Sequence, residues 1–376
     1  MNVLIVAFSF CRTGGIEAVA RETAFALQQN GISVRCLGLH DSRGEANNRG
    51  FPAMFDGCAP ANTVARSLWC RFPALLQGAY LRKEIRWADA VIFSHSNLLA
   101  ALPMGFSRPQ SLPLICWIHG REAWGKCGDA IRPLLPKASH LVAVSNYTGA
   151  SLGATAPRST PVVVIHNPVD TTRFSPGEPA AIRRYSILTC GRHDDDTMHK
   201  GYDVLIRGVA RVRHASGLPI TLTITGDGPR RKDIMALAAE LGIEQFVDFV
   251  GDVSPDQLVR LYRIHDVFAL PSAVMELAGY VYGEGFGVVN IEAASCGRPV
   301  ITSTHGGCPE TIVDGETGML VDPTSDDSVA AAISKMFSLT AAERDAMGSR
   351  GRAMVIERFS RERFREKLGE LIQSVT

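Results

Sequence analysis

Short apolar runs alternate with longer segments of helical periodicity along most of the chain. The first run extends from Asn2 to Phe8 and precedes a helical pattern from Ile16 to about Gln29. This alternation is typical of parallel βαβ units, in which helices cover both faces of a buried sheet, and it predicts an α/β fold. Further strands are predicted at 90–93, 114–118, 141–144 and 162–165 in a first series, and at 186–190, 220–225, 246–250, 267–270 and 299–302 in a second.

A turn-rich stretch, residues 167–179, separates the two series, and its prolines and glycine predict a linker. We therefore place a first domain at residues 1–170 and a second at residues 171–356. Ligands of such sheets bind beyond the carboxyl ends of the strands. Two facing Rossmann-like domains would then offer a cleft between them.

The composition narrows the class of protein. The chain has 376 residues, of which 46% are apolar and 20% charged, as expected for globular domains. A formal net charge of +1 gives no overall attraction for nucleic acid, so no nucleic-acid partner is predicted. The nine cysteines contain no Cys-x-x-Cys pair, which argues against a zinc knuckle or a disulfide framework. No signal peptide or membrane-spanning run is recognised, and we expect a cytoplasmic location.

Two glutamates carry the strongest functional signal, in the segment Glu284-Gly-Phe-Gly-Val-Val-Asn-Ile-Glu292. If a helix begins near Gly287, the two carboxylates are up to about 12 Å apart at helical rise. A nucleotide diphosphate sugar is comparably long, so one carboxylate could bind sugar hydroxyls and the other ribose hydroxyls. The amides at the helix start would face the diphosphate. A first-turn acid and a solvated helix acid would explain the same pair without any ligand.

Two cations flank one predicted strand-end loop. Arg192 and Lys200 could neutralise the charge that develops on a departing nucleoside diphosphate, without a metal. Between them, residues 193–199 contain three acids and two histidines, which are possible metal ligands. Acidic turns are usually solvated, so we expect a polar loop and no metal cofactor. Solvated loop cations remain the alternative explanation of the pair.

Two positions of the first domain also lie in predicted strand-end loops. His119 follows the strand at 114–118, where it could donate a hydrogen bond to a sugar hydroxyl. Gly15 opens the first helix and would let the backbone approach a ligand closely. Neither this loop nor the segment 226–229 completes the three-glycine spacing of a nicotinamide-binding unit. An oxidoreductase is therefore disfavoured.

A basic and aromatic segment, residues 63–86, has two interpretations. It combines several arginines with aromatic and aliphatic residues, and such a segment could lie on an anionic membrane. It could equally be a domain helix whose apolar side faces the core, interrupted at Pro73. The basic residues in question are Arg66, Arg71, Arg82, Lys83 and Arg86.

In their order along the chain, these motifs resemble the retaining glycosyltransferases of family 4, which have the GT-B fold. The resemblance spans nearly the whole chain and rests on several short segments rather than on one. They are Gly14-Gly15-Ile16-Glu17, His119-Gly120, Val144-Ser145, Asn167-Pro168-Val169-Asp170, Gly191-Arg192 with Lys200-Gly201, Gly226-Asp227-Gly228-Pro229, the Glu284 to Glu292 segment, and Gly306-Gly307-Cys308-Pro309-Glu310.

The resemblance implies a role for each matching position. Catalytic roles fall on His119, Arg192, Lys200 and Glu284. Donor binding falls on Gly15, Val250, Val253, Gly285, Phe286, Gly287, Val288, Val289 and Glu292. It further implies a metal-independent transfer in which the acceptor hydroxyl attacks from the side of the leaving diphosphate. A final helix, at about 357–376, would return to the first domain.

Residues 273–283 form a longer segment than many relatives have before the first glutamate. It is similar to that of bacterial polysaccharide mannosyl and rhamnosyl transferases, which favours GDP-mannose as the donor. The acceptor expected from this resemblance is a growing glycan, as in lipopolysaccharide, linked to a polyprenyl diphosphate, with peripheral attachment to the inner membrane face. A sugar-nucleotide 2-epimerase, a UDP-sugar-dependent transferase and a non-catalytic sugar-nucleotide binding protein remain alternatives. A glycoside hydrolase fits poorly, because its carboxylates lie about 5 to 9.5 Å apart.

Overall fold

The computed structural model describes residues 1–12, 14–42, 45, 52, 54–60, 69–71, 73–103, 105–152, 156–157, 159–177 and 183–375. The chain divides into two compact units. The first contains Met1–Pro168 and Arg361–Thr376, and the second contains Val169–Ser360. The sequence placed the corresponding limits at residues 170 and 357.

The first unit is built on one parallel sheet of seven strands in the order β3-β2-β1-β4-β5-β6-β7. Strands β1, β4 and β5 are almost completely buried, which explains their continuous apolar runs. The second and third strands were not among the predicted ones, because they mix polar and small residues with apolar ones. The strands are β1 (Asn2–Ala7), β2 (Ser33–Ser42), β3 (Phe55–Ala59), β4 (Ala90–Phe93), β5 (Leu114–Ile118), β6 (His140–Ala143) and β7 (Val162–Val164).

The α-helices of the first unit are α1 (Gly15–Gln29), α2 (Gly78–Ile85), α3 (Gly125–Ile131), α4 (Asn146–Leu152) and the final helix of the chain (Arg361–Val375). A π-helix, Pro73–Gln77, leads directly into α2. The final helix packs against α1, where Arg361 forms an ion pair with Glu22, and its Phe364 ring lies 5.9 Å from that of Trp117. Residues 63–68 and 72 of the basic segment, Arg66 among them, lie outside the described residues.

The second unit repeats the architecture with a six-stranded parallel sheet in the order β10-β9-β8-β11-β14-β15. An antiparallel hairpin, β12 with β13, stands apart from it. Ala278 and Gly279 form the turn of this hairpin with φ values of 53° and 82°, as a two-residue turn of that twist requires. The strands are β8 (Arg183–Cys190), β9 (Thr221–Thr225), β10 (Val247–Gly251), β11 (His265–Leu270), β12 (Met275–Leu277), β13 (Tyr280–Tyr282), β14 (Val300–Ser303) and β15 (Gly318–Val321).

Helices cover this second sheet, and their buried residues form its core with the strands. They are α5 (Tyr202–Ser216), α6 (Arg231–Glu240), α7 (Pro255–Ile264), α8 (Val288–Ser295), α9 (Asp326–Ser338) and α10 (Ala341–Phe359); the final helix of the chain is α11. The predicted α/β class is confirmed by the two parallel sheets. Within the described residues, no helix has the length and apolar character needed to cross a bilayer.

Candidate functional site

The loops after adjacent strands of the second sheet are joined into one edge. Gly226 N donates to Gly251 O at 2.8 Å, which ties the loop after β9 to the end of β10. His193 N donates to Asp227 O at 2.9 Å and ties the loop after β8 to the loop after β9. Val250, 48% exposed, and the half-buried Val253 lie at the end of β10 on this edge.

Helix α8 begins where the sequence predicts, at Val288 after Gly287. Gly287 has φ 90° and ψ 55°, a left-handed conformation that favours glycine. No side chain of the described residues caps this helix, and an α-helix offers its first amides no internal acceptor. The start of α8 can therefore receive an anion at the amides of Val288 and Val289. The side chain of Phe286 is buried in the core, where its ring centroid lies 5.3 Å from that of Phe359.

A second glycine fixes the loop that precedes α8. Gly307 N donates to Glu284 O at 3.0 Å, and a Cβ at Gly307 would lie 2.2 Å from Gly285 O. Any larger residue at 307 would push the two backbones apart. Gly307 thus positions Glu284 through the backbone, which gives a structural reason for the motif at 306–310.

Glu284 forms an ion pair with Lys200, whose ammonium donates to Glu284 Oε1. Both side chains are largely buried, with 18% and 14% of their surfaces exposed. His199 Nε2 lies 3.7 Å from the same carboxylate oxygen. The structure therefore brings together two residues that are 84 positions apart and that the sequence assigned separately to the sugar and the diphosphate.

The charges of this pair stabilise each other. Burial favours the neutral form of each group, but the opposite charge outweighs it. As a result the pKa of Glu284 lies well below its ordinary value, held there by Lys200 and His199. Burial would also lower the pKa of Lys200, yet Glu284 raises it. Both groups are thus ionised at neutral pH, so the carboxylate can accept hydrogen bonds and the ammonium can neutralise an anion.

Glu292 occupies a different environment, in the second turn of α8. Its Oε2 accepts a hydrogen bond from the Tyr262 hydroxyl at 3.0 Å. Burial raises the pKa of Glu292 to about 7, and this hydrogen bond and the charge of Arg173 oppose the shift only in part. Glu292 can accept from two hydroxyls when ionised, and it is close to losing that charge at neutral pH.

Arg192 lies on the exposed side of the edge. Its Nη1 donates to Asp194 Oδ2 at 2.9 Å, and its side chain is 73% exposed. The acidic segment that follows folds into a short 3-10 helix, Asp195–Lys200, whose Thr197 hydroxyl accepts from Asp194 N at 2.9 Å and donates to Arg192 O at 2.7 Å. This helix carries Lys200 from the exposed loop into the buried pair with Glu284.

In the first unit, His119 and Gly15 occupy the carboxyl edge of the sheet. His119 Nε2 lies 2.8 Å from Ser94 O, and since a carbonyl only accepts, Nε2 carries the proton and Nδ1 is an acceptor. Burial lowers the pKa of His119, which keeps the ring neutral. Gly15 is the first residue of α1, and no described atom lies within 4 Å of a Cβ built on it, so packing does not require glycine there.

Two models of known protein families match consecutive parts of this chain. The model of the family "Glycosyltransferase Family 4" matches residues 13–173, and that of "Glycosyl transferases group 1" matches residues 185–354. A GDP-mannose-dependent alpha-(1-6)-phosphatidylinositol monomannoside mannosyltransferase of Mycobacterium tuberculosis is 31% identical over 73% of this chain and 74% of its own. The chain belongs to glycosyltransferase family 4. The mannosyltransferase of the same name from Mycolicibacterium smegmatis is 29% identical to this chain, over 76% of each of the two chains.

The solved structures show the fold of the transferase. Sucrose-phosphate synthase from Thermosynechococcus elongatus superimposes with a TM-score of 0.78 at 19% identity, over 100% of this chain and 98% of that one. The GT-B architecture predicted from the sequence is confirmed by this likeness and by the two parallel-sheet units.

The candidate site also contains Tyr262, which holds Glu292 and which the sequence did not single out. His199, which the sequence named only as a possible metal ligand, lies beside Glu284. Tyr262 lies on a helix face together with the buried Val259, so it has the appearance of a core residue. The hydrogen bond to Glu292 distinguishes Tyr262 from an ordinary core residue, and hydrophobic periodicity in the sequence cannot predict that bond.

Proposed function

We propose that the transferase moves mannose from GDP-mannose, with retention and without a metal, to a hydroxyl of a lipid-linked cell-surface glycan. The observation that carries the proposal is the buried Lys200–Glu284 pair. It holds an ionised acceptor for sugar hydroxyls and a cation for phosphate side by side, as a diphosphate-linked sugar requires. The relatives named GDP-mannose-dependent mannosyltransferases support the choice of donor.

In the proposed reaction, the acceptor hydroxyl attacks the anomeric carbon from the side on which the diphosphate leaves. The bond from that carbon to the phosphate oxygen breaks, a bond to the acceptor oxygen forms, and the hydroxyl proton passes to the departing phosphate oxygen. Lys200, Arg192 and the amides at the start of α8 stabilise the charge that develops on GDP. Glu284 orients the sugar, and Glu292 binds the ribose.

Thermal denaturation with a panel of GDP-, UDP-, ADP- and dTDP-sugars tests the donor, since a ligand of the native state raises its stability. We expect GDP-mannose to give the largest increase in melting temperature, and a smaller increase in Glu284→Gln. A larger shift with a UDP-sugar would contradict the donor assignment. Product analysis without acceptor separates the reactions, because a 2-epimerase converts the nucleotide-sugar while a transferase leaves the sugar configuration unchanged. NMR of the new linkage shows whether the anomeric configuration is retained.

We further propose that the segment 73–86 rests on the cytoplasmic face of an anionic membrane, where a lipid-linked acceptor would be reached. Leu75 is 59% exposed, Leu76 37% and Tyr80 36%. Further along the same segment, Arg82 and Arg86 have no ion-pair partner among the described residues. They line a cavity of about 530 Å³ together with apolar residues, two serines and Asp89. Exposed apolar residues beside free cations favour an anionic interface.

Flotation with phosphatidylglycerol vesicles tests this surface. Because each cation near an anionic membrane contributes about 1 kcal/mol, Arg82→Ser with Arg86→Ser should weaken binding by roughly 10- to 30-fold. Leu75→Ser should weaken it as well. Phosphatidylcholine vesicles are the control, and equal binding of all variants to both lipids would contradict the proposal.

A further inference from the structure

Tyr262 is the most completely enclosed tyrosine described in the second unit. It lies on α7 with none of its surface exposed. Its ring packs edge-on against Phe174, with centroids 6.1 Å apart, and against Phe268 at 5.5 Å. These contacts fix the ring, so the position of its hydroxyl is set by the core and not by solvent.

The hydroxyl of this fixed ring has three polar neighbours. Glu292 Oε2 lies at 3.0 Å, Val289 O at 3.4 Å and Cys190 Sγ at 3.5 Å. A phenol has one proton to donate, and a carboxylate at the shortest distance is the strongest acceptor of the three. The proton therefore goes to Glu292, and the Cys190 thiol can donate to the phenol oxygen in turn.

We infer that Tyr262 is a positioning residue for nucleotide binding, which holds one oxygen of Glu292 so that the other is left to accept a ribose hydroxyl. This inference rests on the proposed role of Glu292 in binding the ribose. It adds a residue that contacts no ligand and acts only through the orientation and ionisation of the carboxylate.

The charged surroundings make the effect depend on pH. Burial raises the pKa of Glu292 to about 7, the Tyr262 hydrogen bond and the charge of Arg173 lower it, and the thiols of Cys190 and Cys296 also face it. Burial raises the pKa of both thiols to about 12, so they stay uncharged across the range of interest. The Tyr262 hydroxyl is the larger of the two effects that lower the pKa of Glu292. Without it, Glu292 should stay protonated to a higher pH.

The test is Tyr262→Phe, with the affinity for GDP measured by calorimetry from pH 6 to pH 9. We expect GDP to bind about 10-fold more weakly at pH 7, because a hydrogen bond to a charged group is lost. The pH midpoint of binding should move upward, so that much of the affinity returns at pH 9. Turnover at saturating GDP-mannose should stay within about 3-fold of the wild type, since the hydrogen bond that is removed lies outside the reacting atoms.

Tyr185→Phe is the matched control, because it removes a hydroxyl from the same unit at a half-buried ring that packs against Phe337. It should leave GDP affinity unchanged. Glu292→Gln distinguishes the positioning role of Tyr262 from the ribose-binding role of Glu292 itself. Weak GDP binding in Glu292→Gln together with wild-type binding in Tyr262→Phe overturns the positioning role alone, whereas unchanged binding in both overturns the ribose role in the proposed function.

A measurement on the wild-type enzyme keeps the inference testable if Tyr262→Phe fails to fold. The affinity of the wild type for GDP-mannose, whose diphosphate takes up no proton in this range, should fall as the pH drops from 8 to 6, because Glu292 takes up a proton there. Affinity that stays constant from pH 5.5 to pH 8.5 overturns the inference without any variant.

Discussion

The surroundings of the two glutamates differ although only seven residues of one continuous segment separate them. Glu284 lies before α8 against the ammonium of Lys200, and Glu292 lies within α8 against the phenol of Tyr262. Burial acts on both carboxyls in the same direction, yet the pKa of one is lowered and that of the other is raised to about 7. The partner therefore decides the charge state, because a full charge outweighs the cost of burial and a neutral hydrogen-bond donor does not.

This difference suits the two tasks that we propose. The carboxylate beside the sugar is held ionised whatever the pH near neutrality, together with a cation for the diphosphate. The carboxylate for the ribose is close to neutralisation, so nucleotide affinity, and not the chemical step, is where pH should act.

The largest expected effect comes from breaking the buried pair on one side. Lys200→Met should lower the free energy of unfolding by about 3 kcal/mol, since it leaves Glu284 without its cation in a largely buried position. Glu284→Gln should lower the free energy of unfolding by a similar amount, because it leaves the buried ammonium of Lys200 without its carboxylate. The double variant Lys200→Met with Glu284→Gln should be more stable than either single variant. Urea denaturation followed by circular dichroism measures the three.

An exposed pair in the first unit provides the control. Arg132→Gln removes a cation from Asp129 at 2.8 Å, with 55% and 64% of the two side chains exposed. It should change stability by less than about 1 kcal/mol. Strictly additive effects of Lys200→Met and Glu284→Gln would show that the two buried charges do not depend on each other.

The second prediction concerns turnover. Glu284→Gln should lower kcat/KM for GDP-mannose by about 10²- to 10³-fold, the usual effect of removing one preorganised polar contact in an active site. Glu240→Gln, exposed at the last residue of α6, makes the same chemical change away from the candidate site and should keep full activity. A folded Glu284→Gln enzyme with wild-type turnover would remove Glu284 from the donor site.

Much of the fold could be predicted from the chain because it depends on local patterns. The strands at 90–93 and 114–118 are buried on both faces and form uninterrupted apolar runs, and the structure places them at the predicted residues. The start of α8 was also predictable, since a glycine that needs a positive φ precedes a run of small and apolar residues. Strand β2 was missed because only its second half is buried.

The contacts that distinguish the two glutamates could not be predicted in the same way. Lys200 is 84 residues from Glu284, and Tyr262 is 30 residues from Glu292. The register of β8, β9 and β11 brings these residues together, and no local spacing carries that register. Residue types indicated that charges would be needed at the site, but they did not show which carboxyl would have a cation beside it.

The third prediction concerns the effect of pH on stability. Between the ordinary glutamate pKa of about 4.3 and the value of about 7, the native state keeps a proton on Glu292 that the unfolded chain has released. The stability contributed by Glu292 should therefore fall as the pH rises through this window, by at most about 1.4 kcal/mol per pH unit. Glu292→Gln should match the wild type in melting temperature near pH 5 and exceed it near pH 8.

For Glu284 the pH dependence of stability has the opposite sign. Its lowered pKa means that the unfolded chain takes up a proton before the native state does, so its stabilising contribution is lost only as the pH falls below about 4.3. Glu284→Gln should therefore show no change in its melting-temperature difference from the wild type between pH 5 and pH 8. A difference that varies in both variants over that range would refute the opposite charge states of the two carboxyls.

The smallest stability effect is expected at Arg192, the cation of the site that remains exposed. Its ion pair with Asp194 is solvated, so Arg192→Gln should change the free energy of unfolding by less than about 1 kcal/mol. If Arg192 binds the diphosphate, the same variant should nevertheless weaken GDP binding, because a phosphate ligand would displace Asp194 as its partner. Asp194→Asn removes the carboxylate that pairs with Arg192, and it should not weaken GDP binding. Equal loss of GDP affinity in both variants would mean that the pair shapes the loop before Lys200 and that Arg192 does not contact the nucleotide.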